Sequence, residues 1–148
     1  MEDDSVIKYQ AIGVTATRNG LTRAQKQRAQ ILMSSIRELH HGDGIGGDRD
    51  AHEIVRGFDN GARIVGHPPA DDKLRAFCNC DELAEPRPYL ERNREIVDAS
   101  DLLIGFPKSH IEYRRSSTFA TIRYAMRTKT PLLIVWPDGS FAKTLEGD

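Results

Sequence analysis

The segment Ser116-Ser117-Thr118-Phe119-Ala120-Thr121 lies between two apolar runs, Leu102-Leu103-Ile104 and Leu132-Leu133-Ile134-Val135-Trp136. Such runs are typical of buried parallel strands, so the hydroxyl-rich segment is predicted at a strand-to-helix turn. The first turn of a helix there presents unpaired backbone N–H groups, which bind anions. A second small-residue turn, Gly42-Asp43-Gly44-Ile45-Gly46-Gly47-Asp48, occurs earlier in the chain. Together with nearby arginines, the two turns favour a pocket for a phosphate-bearing small molecule over simple caps and tight turns.

Apolar runs and amphipathic segments alternate along the chain. The pattern predicts strands over residues 6–14, 39–42, 62–66, 101–106 and 132–136, and helices over 23–38, 47–58, 88–99 and 117–127. This alternation predicts an α/β fold, a Rossmann-like three-layer α/β/α sandwich with a five-stranded parallel sheet in the order 3-2-1-4-5. The turns at 15–20 and 107–118 then flank the point where the strand order reverses, so we expect them to line one crevice.

The length of 148 residues favours a single domain over 1–148, with a core over about 10–137 and a frayed tail over 138–148. The segment 67–86 is long, polar and proline-containing, and is expected to be a loop that forms a lid or rim over the pocket.

The composition limits the classes of partner. A net charge of −1 with 29% charged residues argues against a general nucleic-acid binder, which normally has a basic excess. No run of about 18 apolar residues occurs, so no membrane association is expected. The N-terminus is acidic and lacks a signal-peptide pattern, which favours a cytoplasmic protein.

The two cysteines, Cys78 and Cys80, are separated by one residue, a spacing at which a disulfide is strained. Structural zinc needs four nitrogen or sulfur ligands at recognised spacings. The chain has no second cysteine pair, and His52 and His67 are the available helpers. We therefore expect two reduced cysteines, no bound metal and no cofactor.

Four segments resemble a known pattern in the same order: VTATR over 14–18, HGDGIGGD over 41–48, YLERNREIVDASD over 89–101 and RSSTFAT over 115–121. Together they resemble the SLOG superfamily, the Rossmann-like group that includes LOG-type nucleoside monophosphate phosphoribohydrolases and the DprA/Smf core. The chain is most similar to the small YspA/YpsA-like branch, over about residues 10–137.

The resemblance implies a nucleotide-binding domain. Some members cleave N-glycosidic bonds, and others, associated with bacterial immunity, sense nucleotide second messengers. Carried over to this chain, the resemblance and the two turns predict these ligand- and phosphate-binding residues: Thr15, Thr17, Arg18, Gly44, Gly46, Gly47, Asp48, Arg92, Asn93, Arg115, Ser116, Ser117, Thr118 and Thr121.

One departure from the LOG pattern decides between binding and catalysis. LOG-type hydrolases carry Gly-Gly-x-Gly-Thr-x-x-Glu, but here Thr121 stands where that glutamate is expected. N-glycosidic cleavage passes through an oxocarbenium-like state that a carboxylate stabilises, and threonine cannot supply that charge. The sequence therefore favours a non-catalytic protein that senses or sequesters a nucleotide or nucleotide-derived signal.

Two other functions stay open. A nucleotide N-glycosidase, releasing free base from a nucleoside 5'-monophosphate, would need a displaced carboxylate, for which Asp48 and then Glu91 are the candidates. A DNA-processing accessory protein of the DprA kind is disfavoured by the charge balance. Related folds often pair through helices, so a homodimer is an expectation.

Overall fold

The computed structural model describes residues 9–111 and 116–144. It contains four helices of more than one turn, α1 (Arg23–Leu32), α2 (Gly47–Phe58), α3 (Tyr89–Asp98) and α4 (Ser117–Arg127), and a short 3-10 turn, Asp72–Leu74. The strands are β1 (Ala11–Ala16), β2 (Glu38–His41), β3 (Arg63–Gly66), β4 (Glu82–Leu83), β5 (Leu102–Phe106), β6 (Leu132–Val135) and β7 (Phe141–Thr144).

The strands form one sheet in the order β4-β3-β2-β1-β5-β6-β7, and only β7 runs antiparallel to its neighbour within the described chain. The inner five strands have the predicted order, and the Rossmann-like class is confirmed. Because β1 lies between β2 and β5, the direction of chain progression reverses there, and their carboxyl ends frame a crevice.

The prediction of five strands was wrong at both edges of the sheet. Strand β4 lies inside the segment expected to be a loop, and β7 lies in the tail expected to be frayed. Both edge strands are exposed along their length and carry no buried apolar face, so hydrophobic periodicity could not reveal them. Polar contacts anchor β4 instead, since Asp81 Oδ2 accepts a hydrogen bond from the Ile64 amide at 2.8 Å and Arg63 pairs with Glu82.

The helices cover both faces of the sheet. Helices α1 and α2 pack over one face, in a core that includes Ile12, Leu39 and Ile104. Helices α3 and α4 pack together over the other face, around Leu103 and Leu132. Alternate residues of β5 therefore feed opposite cores, which explains why that strand reads as a continuous apolar run.

Helix α1 begins at a capping box, in which Thr22 Oγ1 accepts from the Gln25 amide and Gln25 Oε1 accepts from the Thr22 amide. The buried Gln25 also donates from Nε2 to the carbonyls of Pro107 and Val135, each at 2.9 Å. These hydrogen bonds connect the start of α1 to the ends of β5 and β6. They therefore hold in place the β1–α1 turn, which borders the crevice.

Candidate functional site

The first cavity, here called the switch-point cleft, lies where β1 and β5 end and encloses about 390 Å³. The β1–α1 turn forms one side and the first turn of α4 forms the other. The cleft is lined by Ala16, Thr17, Arg18, Asn19, Lys108, Ser116, Ser117, Thr118 and Phe119. The structure thus brings together the two turns that the predicted topology placed at one crevice.

The switch-point cleft has the electrostatics of an anion site. Ser116 caps α4 by accepting a hydrogen bond from the Phe119 amide at 3.2 Å. The amides of Ser117 and Thr118 precede the first intrahelical hydrogen bond, so they present the positive end of the helix dipole. The exposed Arg18 guanidinium makes no hydrogen bond to the described part of the chain.

A second cavity of about 340 Å³, here called the glycine-turn cleft, adjoins the first and shares Ala16, Arg18 and Ser117 with it. Its other lining residues are Gly44, Ile45, Asp48, Pro69, Ala70, Asp71, Leu74, Pro88, Tyr89 and Arg92. The segment that was expected to be a lid or rim supplies one wall, between Pro69 and Leu74.

Asp48 and Arg92 line the floor of the glycine-turn cleft, and both side chains lie close to Gly42. Asp48 is 8% exposed, and its Oδ2 accepts from the Gly44 amide at 3.1 Å. Burial raises the pKa of Asp48 to about 6, against the lowering effect of Arg92 and of the Gly44 and Gly42 amides. At neutral pH the Asp48 carboxylate is therefore largely ionised, but a fall in pH of about one unit is enough to protonate half of it.

Backbone contacts fix the position of Arg92. Its Nη1 donates to the carbonyls of Gly42 and, at 3.3 Å, His67, and its Nε donates to Asn93 Oδ1. Burial lowers the pKa of Arg92, whereas the carboxylates of Asp48 and Asp43 raise it. Arg92 thus joins α3 to the ends of β2 and β3 beneath the cleft.

Asp43 connects the glycine turn to the segment that follows β3. It is fully buried, and its backbone has a φ of 52°. Its carboxylate accepts from Arg75 Nε at 2.6 Å and from the Cys78 amide at 2.8 Å. The sequence indicates only that Asp43 belongs to the turn and predicts no role for it. In the structure, Asp43 joins the wall segment to the glycine turn through these two hydrogen bonds. The sequence could not reveal this role, because no local pattern links Asp43 to Arg75.

The histidine next to this turn forms part of a hydrogen-bonded cluster. His41 Nδ1 accepts from the Asp43 amide at 2.9 Å, so the neutral ring carries its hydrogen on Nε2. That nitrogen lies 3.0 Å from His52 Nδ1 and 3.7 Å from Cys80 Sγ. Ligand atoms of these three residues lie within 4.8 Å of one another, but a protonated Nε2 is no metal ligand. The arrangement favours support of the turn over metal binding.

The predicted site residues fall into three groups. Those that line a cleft are Thr17, Arg18, Gly44, Asp48, Arg92, Ser116, Ser117 and Thr118. Those that line neither of the two clefts are Thr15, Gly46, Gly47, Asn93, Thr121 and the exposed Glu91. Arg115 lies outside the described residues. Their ligand-binding roles stay predictions.

Several residues of the second group support the clefts from behind. The Gly47 amide donates to the Thr17 carbonyl at 2.9 Å, which joins the two turns. Asn93 accepts from Arg92, and Thr121 Oγ1 donates to the Ser117 carbonyl at 2.7 Å. Sequence reasoning missed the apolar wall residues Ile45, Leu74, Pro88 and Tyr89, because isolated apolar residues in turns and at the start of a helix carry no periodic signal.

No family model matches this chain, and no curated protein matches it. Among solved structures, it is similar to the molybdenum cofactor binding protein from the phototrophic bacterium Rippkaea orientalis, with a TM-score of 0.67, 18% identity, and coverage of 87% of this chain and 77% of that chain. It is also similar to the structural-genomics target TM1055, with a TM-score of 0.60, 14% identity, and coverage of 83% of this chain and 72% of that chain.

The fold is Rossmann-like. At 18% and 14% identity the two neighbours show the fold alone, and they give no support to the YspA/YpsA-like branch. Within residues 9–111 and 116–144, no helix combines the length and the apolar character needed to cross a membrane.

Proposed function

We propose that this chain binds a nucleotide or nucleotide-derived signalling molecule, and acts by sensing or sequestering it. The observation that carries the proposal is the pair of adjoining clefts at the carboxyl ends of the strands, with Arg18 and Ser117 common to both. Ligands of open α/β sheets bind at this place in the fold.

The two clefts suit two halves of one ligand. The switch-point cleft offers a guanidinium and the open amides of a helix N-terminus, which together suit a phosphate. The glycine-turn cleft offers apolar walls with a polar floor, and its volume falls within the range of small-molecule sites, about 300–1,000 Å³. A phosphate joined to a ring system, as in a nucleotide, fills both.

The position of Thr121 supports binding without turnover. Its hydroxyl donates to a carbonyl of its own helix and it is 3% exposed, so it offers the switch-point cleft no carboxylate. Glu91 lies on the exposed surface of α3 and lines neither cleft. The name of the Rippkaea orientalis neighbour, a molybdenum cofactor binding protein, supports a small-molecule site on this fold.

The second candidate function is hydrolysis of an N-glycosidic bond, favoured by the buried Asp48 carboxylate in the glycine-turn cleft. Asp48 would stabilise the oxocarbenium-like state. Asp48→Asn would then abolish release of free base while leaving ligand binding largely intact, and unchanged turnover would remove Asp48 from the mechanism.

The deciding experiment incubates the purified protein with a pool of nucleoside monophosphates, cyclic nucleotides and ADP-ribose-type signals. Mass spectrometry then measures both the protein-bound fraction, released by heat, and the free solution. An intact, enriched ligand supports a binding protein. Free base with sugar phosphate supports the glycosidase. If no compound is retained or altered, both functions are contradicted. Salt-sensitive DNA binding would instead support a DprA-like role.

A further inference from the structure

The floor of the glycine-turn cleft places a hydrogen-bond acceptor beside a donor. Asp48 uses Oδ2 for the Gly44 amide, but a carboxylate has about four acceptor sites, so acceptor capacity remains for a ligand. Arg92 uses Nη1 and Nε for protein groups. Its Nη2 makes no hydrogen bond to the residues that the structure describes, and is available as a donor.

The walls of the same cleft expose apolar surface. Ile45 is 41% exposed, Leu74 38% and Tyr89 51%, and all three line this cavity. Three large apolar side chains around one small cleft form the kind of apolar lining that small-molecule sites have. A planar ring inserted between them would bring its polar edge down to Asp48 and Arg92.

The charge of Asp48 selects among ring edges. An ionised carboxylate only accepts hydrogen bonds, so it pairs best with two neighbouring donors. The polar edges of adenine and cytosine present one amino group next to a ring-nitrogen lone pair, which would face the second carboxylate oxygen. Guanine presents a ring N–H beside an amino group, with a carbonyl oxygen on the other side of the N–H. Pterins share this 2-amino-4-oxo edge.

We infer that the ligand carries a 2-amino-4-oxopyrimidine edge (2-amino-6-oxo in purine numbering), as in guanine or a pterin, with Asp48 accepting from its two donors and Arg92 donating to its carbonyl oxygen. The inference rests on the proposed function, because the phosphate of the same molecule would occupy the switch-point cleft. It makes Asp48 and Arg92 the residues that determine specificity.

Calorimetric titration of the wild-type protein with GMP, IMP, AMP, ribose 5-phosphate and a monophosphorylated pterin tests the inference without any variant. IMP lacks the amino group of GMP, and AMP lacks both the N–H and the oxo group. We expect GMP or the pterin to bind at least about 10-fold more tightly than IMP and AMP, as for loss of a hydrogen bond to a charged group. Which of the two binds more tightly identifies the source of the shared edge.

Asp48→Asn adds an independent test, with Glu53→Gln as its control. Glu53 lies on the same helix, is exposed and lies outside both clefts. The asparagine variant should lose the preference for GMP or pterin over AMP, whereas Glu53→Gln should retain it. Thermal unfolding of both variants checks that they remain folded.

Other results would overturn the inference. If AMP or ribose 5-phosphate binds wild-type protein as tightly as GMP and the pterin, the ring edge is not recognised, although the proposed function survives. If the preference persists in Asp48→Asn, a different residue determines it. If none of the five compounds binds, the inference fails, and the incubation with the full nucleotide pool then decides whether the proposed function survives.

Discussion

Gly46 lies directly against the backbone of Arg18, so closely that a Cβ atom at position 46 would be 2.8 Å from the Arg18 Cα. Gly46 also has a φ of 85°, which non-glycine residues rarely adopt. The contact locks the glycine turn onto the β1–α1 turn, and therefore sets the position of the one arginine that both clefts share.

Gly46→Ala should destabilise the protein by about 1–3 kcal/mol through the left-handed backbone alone, and by more where the Arg18 backbone cannot move away. The matched control is Gly57→Ala in α2, the helix that Gly46 precedes. Gly57 is exposed and a Cβ there would meet nothing within 4 Å, so we expect a gain of about 0.5–1 kcal/mol. Urea unfolding measures both, and equal effects would show that the close contact does not constrain position 46.

Asp48 should cost the protein stability at neutral pH. Its pKa is about 6 in the folded protein and about 3.8 when unfolded, so the folded state holds an extra proton between these values. Stability therefore falls as pH rises from 3.8 to 6, and Asp48→Asn, which stays neutral, should recover about 1–3 kcal/mol at pH 7.5. The stabilisation should vanish near pH 4, and a variant equally stabilised at both pH values would contradict a buried, ionising carboxylate.

Two buried histidines should make the protein sensitive to acid. Burial lowers the pKa of His41 to about 3 and that of His67 to about 4, from 6.5. Below pH 6.5 the unfolded chain binds protons that the folded chain excludes, so stability falls as pH decreases toward about 4. Each histidine contributes up to about 1.4 kcal/mol per pH unit.

Urea unfolding between pH 7.5 and 4.5 measures this loss, best in the Asp48→Asn background, because Asp48 opposes the trend below pH 6. His67→Gln removes one of the two groups, so its stability should fall less steeply with acid than that of its parent. Identical pH slopes with and without His67 would show that its ring binds protons equally in the folded and unfolded states, so that folding does not lower its pKa.

The sequence predicted the inner sheet because its information is local. The runs at Leu102–Phe106 and Leu132–Val135 are apolar throughout, and a helix lies between each pair of successive inner strands. Parallel pairing and right-handed crossovers then restrict the strand order to few choices. The edge strands β4 and β7 depend on backbone pairing and single ion pairs, which leave no periodic pattern in the sequence.

The same difference between local sequence signals and long-range contacts separates the site residues that could be predicted from those that could not. Arg18, Asp48 and Ser116–Thr118 could be identified because each lies at a turn after a predicted strand. The roles of Asp43 and Gly46 could not be, because they depend on contacts to Arg75 and Arg18, 32 and 28 residues away along the chain. Small residues at a turn predict close approach, but the sequence does not say which backbone approaches.

Arg18→Ala should weaken binding of a phosphorylated ligand without unfolding the protein. The side chain is exposed, lines both clefts and makes no hydrogen bond to the described residues, so its removal costs little stability. Loss of a charge-assisted contact to phosphate should reduce the binding free energy by about 1.5–3 kcal/mol.

Arg49→Ala is the matched control for this change. Arg49 is an exposed arginine on α2 that pairs with Glu53 one turn along the helix, and it lines neither cleft. Calorimetric titration with the ligand recovered from the nucleotide pool should show full affinity for Arg49→Ala and reduced affinity for Arg18→Ala. Raising the salt concentration should reduce the difference in ligand affinity between wild type and Arg18→Ala, because screening weakens an exposed contact between arginine and phosphate. Unchanged affinity in Arg18→Ala would place the phosphate outside the switch-point cleft.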